Sequence, residues 1–457
     1  MLFNTAQFFG FFVIVLVLFY ASPRAVHKYL LLVASYVFYA SWNVIFLPLL
    51  AIITLVDYGC ALWMDRLTRH RWVFLVISVA VNLGFLGFFK YFNFVAGMID
   101  KSYTMAIILP IGISFHTFQS ISYIVDVYRG EQKPIRNLAD YALFIAFFPQ
   151  LVAGPIVRAG EFFADFFAWR KPDSEEVLRG ALWMFVGLCK KMVFADQFAQ
   201  LADSYFGNLA AHPGATAAWS GTFSFAMQIF FDFSGYTDMA IGMALLLGFH
   251  FPVNFVRPYL AFSITDFWHR WHVSLSRWLR DYLYIPLGGN RGGSLKTYRN
   301  LMLTMLLGGL WHGASFNFII WGGYHGALLS LERIAGRTKF LAKPGALLYP
   351  FRAVVTFGLV CIGWVFFRAV TLQDSLFVIR EMFTGAWTSE GLLVPAWLLC
   401  FVTVALLIAI AEERWEWMER LPRGSAWAYA ALVVVLLVSV ELIGVTEKAV
   451  PFIYFQF

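Results

Sequence analysis

Residues Asn300–Ser330 read NLMLTMLLGGLWHGASFNFIIWGGYHGALLS, 31 residues without a formal charge that nonetheless hold His312 and His325. A straight helix of that length is about 46 Å long, well beyond the roughly 30 Å of one hydrocarbon core. The run is therefore predicted to break, and Gly308-Gly309, Gly313 and Gly322-Gly323 are the places it offers. Irregular backbone at membrane depth is tolerated only where protein or a water-filled cavity covers it. Entry near Asn300 puts His312 about 18 Å in, close to the midplane. A histidine at that depth is a functional candidate by default, and an imidazole suits proton transfer. The competing reading is a structural histidine hydrogen-bonded inside a helix bundle.

The rest of the chain agrees with a membrane setting. Of 457 residues, 60% are hydrophobic and 13% charged, with mean hydropathy +0.70; soluble domains carry about 25% charged residues. Spans are expected at roughly 6–22, 29–43, 45–64, 72–97 and 104–126. Further apolar segments run over 179–198, 217–234, 236–249, 300–331, 346–369, 392–411 and 425–444. The region Tyr141–Trp169 is too interrupted by Pro149, Gly154, Pro155 and Arg158 to be one plain span. The longest polar loops are Trp169–Arg179, Gly288–Arg299, Glu332–Lys343 and Glu412–Arg423. With no repeat period visible, one membrane-embedded domain over 1–457 is the simplest organisation.

Met1–Asn4 lacks the positive charge of a secretory leader. Arg24, His27 and Lys28 follow the first span instead, which favours a retained helix with its N-terminus outside. Cys60, Cys189, Cys361 and Cys400 are far apart in apolar surroundings and read as buried free thiols. The net charge of +7 is scattered over short loops. It suits lipid headgroups and an anionic substrate better than nucleic acid.

Two further stretches break the apolar pattern. At 100° per residue, Phe267–Tyr282 places Trp268, Trp271, Leu275, Trp278, Leu279 and Tyr282 on one face, with Arg270, Arg277 and Asp281 opposite. The pattern predicts one interfacial amphipathic helix, with His272 at the edge of its aromatic face. His269 and His272 form an HxxH pair after Asp266, but no cysteine or carboxylate cluster completes a metal site, and none is expected. The other stretch is Phe231–Met239, where Asp232, Ser234, Tyr236, Thr237 and Asp238 interrupt Phe, Ile and Met. A carboxylate in hydrocarbon costs about 2.5–3.5 kcal/mol on insertion scales. These groups must be paired or face water, either as a polar cluster holding helices together or as the wall of a cavity.

At this point several collinear motifs carry a resemblance. They are FFPQLVAGPIVR (Phe147–Arg158), Phe231–Gly242, FPVNF (Phe251–Phe255), WHVSLS (Trp271–Ser276), RDYLYIPLGGN (Arg280–Asn290), LWHGA (Leu310–Ala314) and GWVFFRA (Gly363–Ala369). Together they resemble the bacterial alginate O-acetyltransferase-like branch of the membrane-bound O-acyltransferase superfamily, in order from the first helix to Phe452–Phe457. The resemblance implies an all-α polytopic fold of about eleven transmembrane helices, with re-entrant and interfacial helices around a central tunnel. It implies that His312 is the catalytic histidine and His272 the second motif histidine. His269 stands where this branch usually has arginine, and His250 replaces a commonly basic residue. Both changes leave the two motif histidines intact.

The implied reaction is acyl transfer from a thioester, acetyl-CoA used as a substrate, to an extracytoplasmic hydroxyl across the bacterial inner membrane. A thioester is already activated, so the enzyme mainly supplies positioning, a base for the hydroxyl and stabilisation of the oxyanion. His312 is the expected base, with a transient acyl-His312 as a variant. Trp271, Trp311, Asp232, Ser234, Tyr236, Asp238 and Asn254 are expected along the substrate path. Arg270, Arg277, Arg280 and Arg291 are candidates for the CoA phosphates, in competition with lipid headgroups. The resemblance implies an acceptor among exopolysaccharides (alginate-like or cellulose) or peptidoglycan, served through a periplasmic esterase-like partner transferase. The alternatives are D-alanine transfer to an envelope polymer and, in another class, a transporter using His312, Asp232 and Asp238 as a proton relay.

Overall fold

The computed structural model describes residues 1–336, 345, 347–415, 426–445 and 451–455, and the regular elements among them are helices. Five helices among the described residues are long and apolar enough to cross a membrane: Val44–Arg66, Thr68–Ile99, Ala215–Leu246, Tyr349–Arg368 and Ala396–Arg414. Ala6–Ala21 and Trp427–Ile443 are apolar but shorter. These helices differ in what surrounds them. The apolar window of Ala215–Leu246 is 89% buried, that of Ala396–Arg414 only 11%. The first is a core element and tolerates polar side chains that find partners; the second turns Val404, Leu407 and Ile410 outward, as a lipid-facing helix does.

The chain packs as two compact units, Met1–Met184 with Tyr236–Pro252, and Phe185–Gly235 with Val253–Phe457. In the first unit, buried Asp57 accepts hydrogen bonds from Ser78 (2.5 Å) and Asn82 (2.9 Å), tying Leu47–Arg66 to Arg71–Leu86. The interrupted region Tyr141–Trp169 is broken as expected, into Leu138–Ala146, Phe148–Leu151 and Ala159–Phe167.

Several expectations are corrected. The segments 217–234 and 236–249 are a single helix, Ala215–Leu246. A helical glycine costs only about 1 kcal/mol, and Gly235 is used for close approach: a Cβ there would lie 2.7 Å from the Gly187 carbonyl oxygen. In place of the span expected at 104–126 stands the helix Ile113–Arg129, which begins after Gly112 turns the chain with φ 73° and is not among the helices long and apolar enough to cross a membrane. Glu332 belongs to the helix Phe316–Ala335 rather than to a loop; residues 337–343 of that loop and 416–423 of Glu412–Arg423 lie outside the described residues. Cys400 is exposed on Ala396–Trp415, whereas Cys60, Cys189 and Cys361 are buried.

The largest correction concerns Phe267–Tyr282, which is not one helix. It divides into Ile264–Arg270, Val273–Leu279 and a π-helical turn, Arg280–Tyr284. The irregular segment at Asn254–Val256 supplies the reason. The Val273 N–H donates to the Asn254 carbonyl (2.9 Å), and the Val256 N–H donates to the Arg270 carbonyl (2.9 Å). Backbone groups that a continuous helix would satisfy internally are satisfied across the break instead.

Candidate functional site

The hairpin made by Ser294–His312 and Phe316–Ala335 builds one side of the site. Of the three glycine positions offered as breaks, only Gly313 is one. It is extended (φ −166°), and Ser315 caps the next helix by accepting the Asn317 N–H at 3.2 Å. The other glycines let the two helices touch. A Cβ at Gly309 would lie 2.2 Å from the Phe318 carbonyl oxygen, and one at Gly322 would lie 2.2 Å from that of Met305.

His312 is thus the last residue of its helix, with 4% of its surface exposed. Its ring is 4.9 Å from Trp311, 5.1 Å from Trp321, 5.1 Å from Phe367 and 5.6 Å from Tyr454, centroid to centroid. His272 lies at the second break and is fully buried. Its φ of 43° is left-handed, a costly conformation for a residue with a side chain. Such strain persists where the surroundings over-determine it, and Asn254 does so here. The Ser274 N–H donates to Asn254 Oδ1 (3.0 Å), as does the Ser274 hydroxyl (3.0 Å), which identifies that atom as the amide oxygen. His272 Nδ1, 3.2 Å from the same oxygen, must then carry its proton and donate. In this neutral tautomer Nε2 is the acceptor nitrogen. Trp311 neighbours both imidazoles, 6.3 Å from His272 and 4.9 Å from His312.

The second unit therefore brings together His312, His272, Trp311, Asn254 and Trp271. The last of these stacks with Phe267 (5.5 Å) and packs on Trp364 (5.0 Å). Ser234 and Asp232 belong to the same unit and are buried. Asp232 bonds Lys191 at 2.9 Å and accepts the Ile453 N–H at 2.8 Å. Tyr236 and Asp238 fall in the first unit, where the Tyr236 hydroxyl donates to Asn4 (3.2 Å). Arg270 is held by Asp266 (2.9 Å) and by both oxygens of Glu413 (3.0 Å each). Arg277, Arg280 and Arg291 are exposed, with Arg280 on Asp281.

Sequence reasoning missed Lys191, Trp321, Phe367, Tyr454 and Arg333. Two signals were present. Lys190-Lys191 inside an apolar segment needed counter-charges, and Trp321 shares a helical face with His325 at i, i+4. A cavity of about 490 Å³, lined by Thr265, Asn290, Ser294, Thr297 and Arg333 among others, opens where the helix ending in His312 begins.

Residues 131–372 match the family model of MBOAT, the membrane-bound O-acyltransferase family. The chain is 47% identical to the probable alginate O-acetylase of Pseudomonas aeruginosa over 85% of its own length and 76% of the relative's. It is 41% identical to that of Pseudomonas putida over 100% of both. It is 40% identical to the peptidoglycan O-acetyltransferase of Helicobacter pylori, over 82% of the chain and 76% of that protein.

Proposed function

The chain belongs to the membrane-bound O-acyltransferase family and is an O-acyltransferase, and on that premise we propose that it moves acetyl groups from cytoplasmic acetyl-CoA toward a hydroxyl acceptor outside the bacterial inner membrane. The polymer served is an exopolysaccharide, alginate-like or cellulose, or peptidoglycan, reached through a periplasmic esterase-like transferase. The names of the relatives support an O-acetylated polymer, and their identities over most of the chain favour acetyl over D-alanyl transfer. In this reading the two units act as one acyltransferase domain over 1–457, with about eleven spans around a tunnel.

The observation that carries the reading is the pair of buried imidazoles flanking Trp311, each at a helix break. His312 takes the proton of the acceptor hydroxyl as its oxygen bonds to the thioester carbonyl carbon. When the tetrahedral intermediate collapses, the C–S bond breaks and the same proton passes to the departing thiolate, leaving an ester and a free thiol. His272, with Nδ1–H committed to Asn254, presents an acceptor at Nε2. It therefore suits orienting a hydroxyl donor more than stabilising an oxyanion.

Trp271, Trp311, Ser234 and Asn254 belong to this path in the second unit, and Tyr236 and Asp238 are polar positions of the first. For the CoA phosphates, the cavity at Thr265 and Arg333 adds a site to Arg277, Arg280 and Arg291. It lies about 27 Å along the helix axis from His312. Arg270 serves only by exchanging its carboxylate partners.

The test is made in cells. Deletion of the gene removes O-acetyl groups from one envelope polymer, found by comparing ester content of exopolysaccharide and peptidoglycan. Wild type restores them and His312→Ala does not. Unchanged ester content in every polymer after deletion would contradict the proposal.

A further inference from the structure

A lysine with no exposed surface is rare, because an unpaired buried charge costs several kcal/mol. Lys191 is such a residue, and its ammonium bonds Asp196 at 2.7 Å and Asp232 at 2.9 Å, both carboxylates also buried. Two of these residues belong to one turn. Lys190–Ala195 is π-helical, and Asp196 follows it. Such turns leave backbone groups available to other segments, and here the Val445 N–H donates to the Met192 carbonyl (3.1 Å). Gln197, just beyond, donates to the Ile443 carbonyl (2.9 Å). The turn thus grips the chain at 443–445, and through Lys191 and Asp232 it reaches the same chain again at Ile453.

What Asp232 holds there matters for the chemistry. The Ile453 N–H donates to its second oxygen at 2.8 Å. Phe233, the next residue of the core helix, packs on Phe452 (5.5 Å) and Tyr454 (4.6 Å), while its other contacts include His272 (4.6 Å). Tyr454 in turn lies 5.6 Å from His312 and 6.5 Å from Phe367. One backbone hydrogen bond and two aromatic contacts, from adjacent residues, fasten a short segment beside the reactive imidazole. Phe452 and Ile453 are themselves buried.

We propose that Asp232, aimed by the Lys191 ammonium that it shares with Asp196, is a positioning residue that fastens Pro451–Phe455 as a cover over His312. The cover keeps bulk water from the imidazole, so that the base meets an acceptor hydroxyl rather than water and the thioester is transferred rather than hydrolysed. The inference rests on His312 being the reactive group. It gives the charged triad a role in the site that a purely helix-joining cluster would not have, since its remaining bond goes to this segment.

The test reads access to His312 without any substrate, so it is independent of whether acetyl-CoA is the donor. Purified protein is treated with diethylpyrocarbonate, and carbethoxylation of His312 and of His325, which is also buried, is followed by mass spectrometry. Ile453→Pro deletes the N–H that Asp232 accepts and touches no charge. The proposal expects His312 to react about fivefold faster, the population shift that loss of one hydrogen bond brings, with His325 unchanged. Ile453→Val keeps the N–H and nearly all of the buried side chain and is expected to behave as wild type. Asp232→Asn, which retains an acceptor oxygen but not the charge, is expected to give a smaller rise at His312 alone. If Ile453→Pro leaves His312 as slow as in wild type, the cover does not exist. If His312 and His325 accelerate together in Ile453→Pro and Asp232→Asn, these bonds hold the fold and not the site, and the proposal is overturned.

Discussion

His312 and His325 come from one uncharged run, both are buried, and both lie against Trp321, 5.1 Å and 5.0 Å away. They differ in backbone. His312 ends a helix at an extended glycine, where its ring meets side chains from Tyr349–Arg368 and from the segment at Tyr454. His325 sits within Phe316–Ala335, packed on Trp268 (5.3 Å) and Tyr324 (5.5 Å), with its Nε2 facing Gly363, where a Cβ would come to 2.8 Å. Neither of its ring nitrogens has a hydrogen-bond partner among the described residues. If His312 is the reactive imidazole, as proposed, then residue type and depth do not separate it from His325, and the break in the helix does.

The largest effect expected from this contrast is at the imidazoles themselves. His312→Gln should lower polymer O-acetylation by about 10²–10⁴, the range for loss of a general base. His325→Gln should stay within about fivefold of wild type, a change of roughly 1 kcal/mol typical of point mutants. Ester content of the polymer in complemented deletion strains reads both, and equal losses would erase the distinction.

Next come the glycines. A Cβ at Gly313 would lie 2.0 Å from the Phe318 ring, whereas one at Gly323 meets Leu306 at an ordinary 3.5 Å. Gly313→Ala should cost about 1–3 kcal/mol as an overpacking change and displace His312. Gly323→Ala should be near neutral in melting temperature and activity.

A smaller effect is expected at Asn254. Asn254→Leu removes the oxygen that fixes the His272 tautomer and should cost about tenfold in kcat/KM, the worth of one or two hydrogen bonds. His312 chemistry is retained, so the loss should appear as a raised acceptor requirement, measured as KM for the hydroxyl substrate.

The smallest is a control away from both histidines. Hydrogen bonds from Arg170 (2.7 and 2.6 Å), chiefly, and from the Asp173 N–H and His250 hold the Glu176 carboxyl down to about 2. A carboxyl depressed in the folded state adds stability above its ordinary pKa near 4.5 and loses it as pH falls through about 2. The melting-temperature gap between wild type and Glu176→Gln should be constant from pH 7 to about pH 5, then shrink toward pH 2.

The membrane class, the interruption of Tyr141–Trp169, and the prominence of His312 and His272 were legible because each is a local signal, a hydropathy run or a polar residue inside one. What was illegible is long-range. The Phe267–Tyr282 periodicity predicts a helix, and only the hydrogen bonds from Asn254–Val256 explain why it breaks at His272. Asp232 reads either as part of a helix-joining polar cluster or as a cavity wall until Lys191 and Ile453 are seen to occupy it. Gly309 and Gly322 look like helix breakers because a sequence does not show which backbone will lie against them.

The most direct measurement of the central claim uses purified protein in lipid, acetyl-CoA labelled in its acetyl group, and wild type beside His312→Ala and His325→Gln. The account predicts release of CoA thiol and movement of label into a hydroxyl ester by wild type and His325→Gln, with both lost in His312→Ala. Label transferred by His312→Ala at the wild-type rate would contradict it.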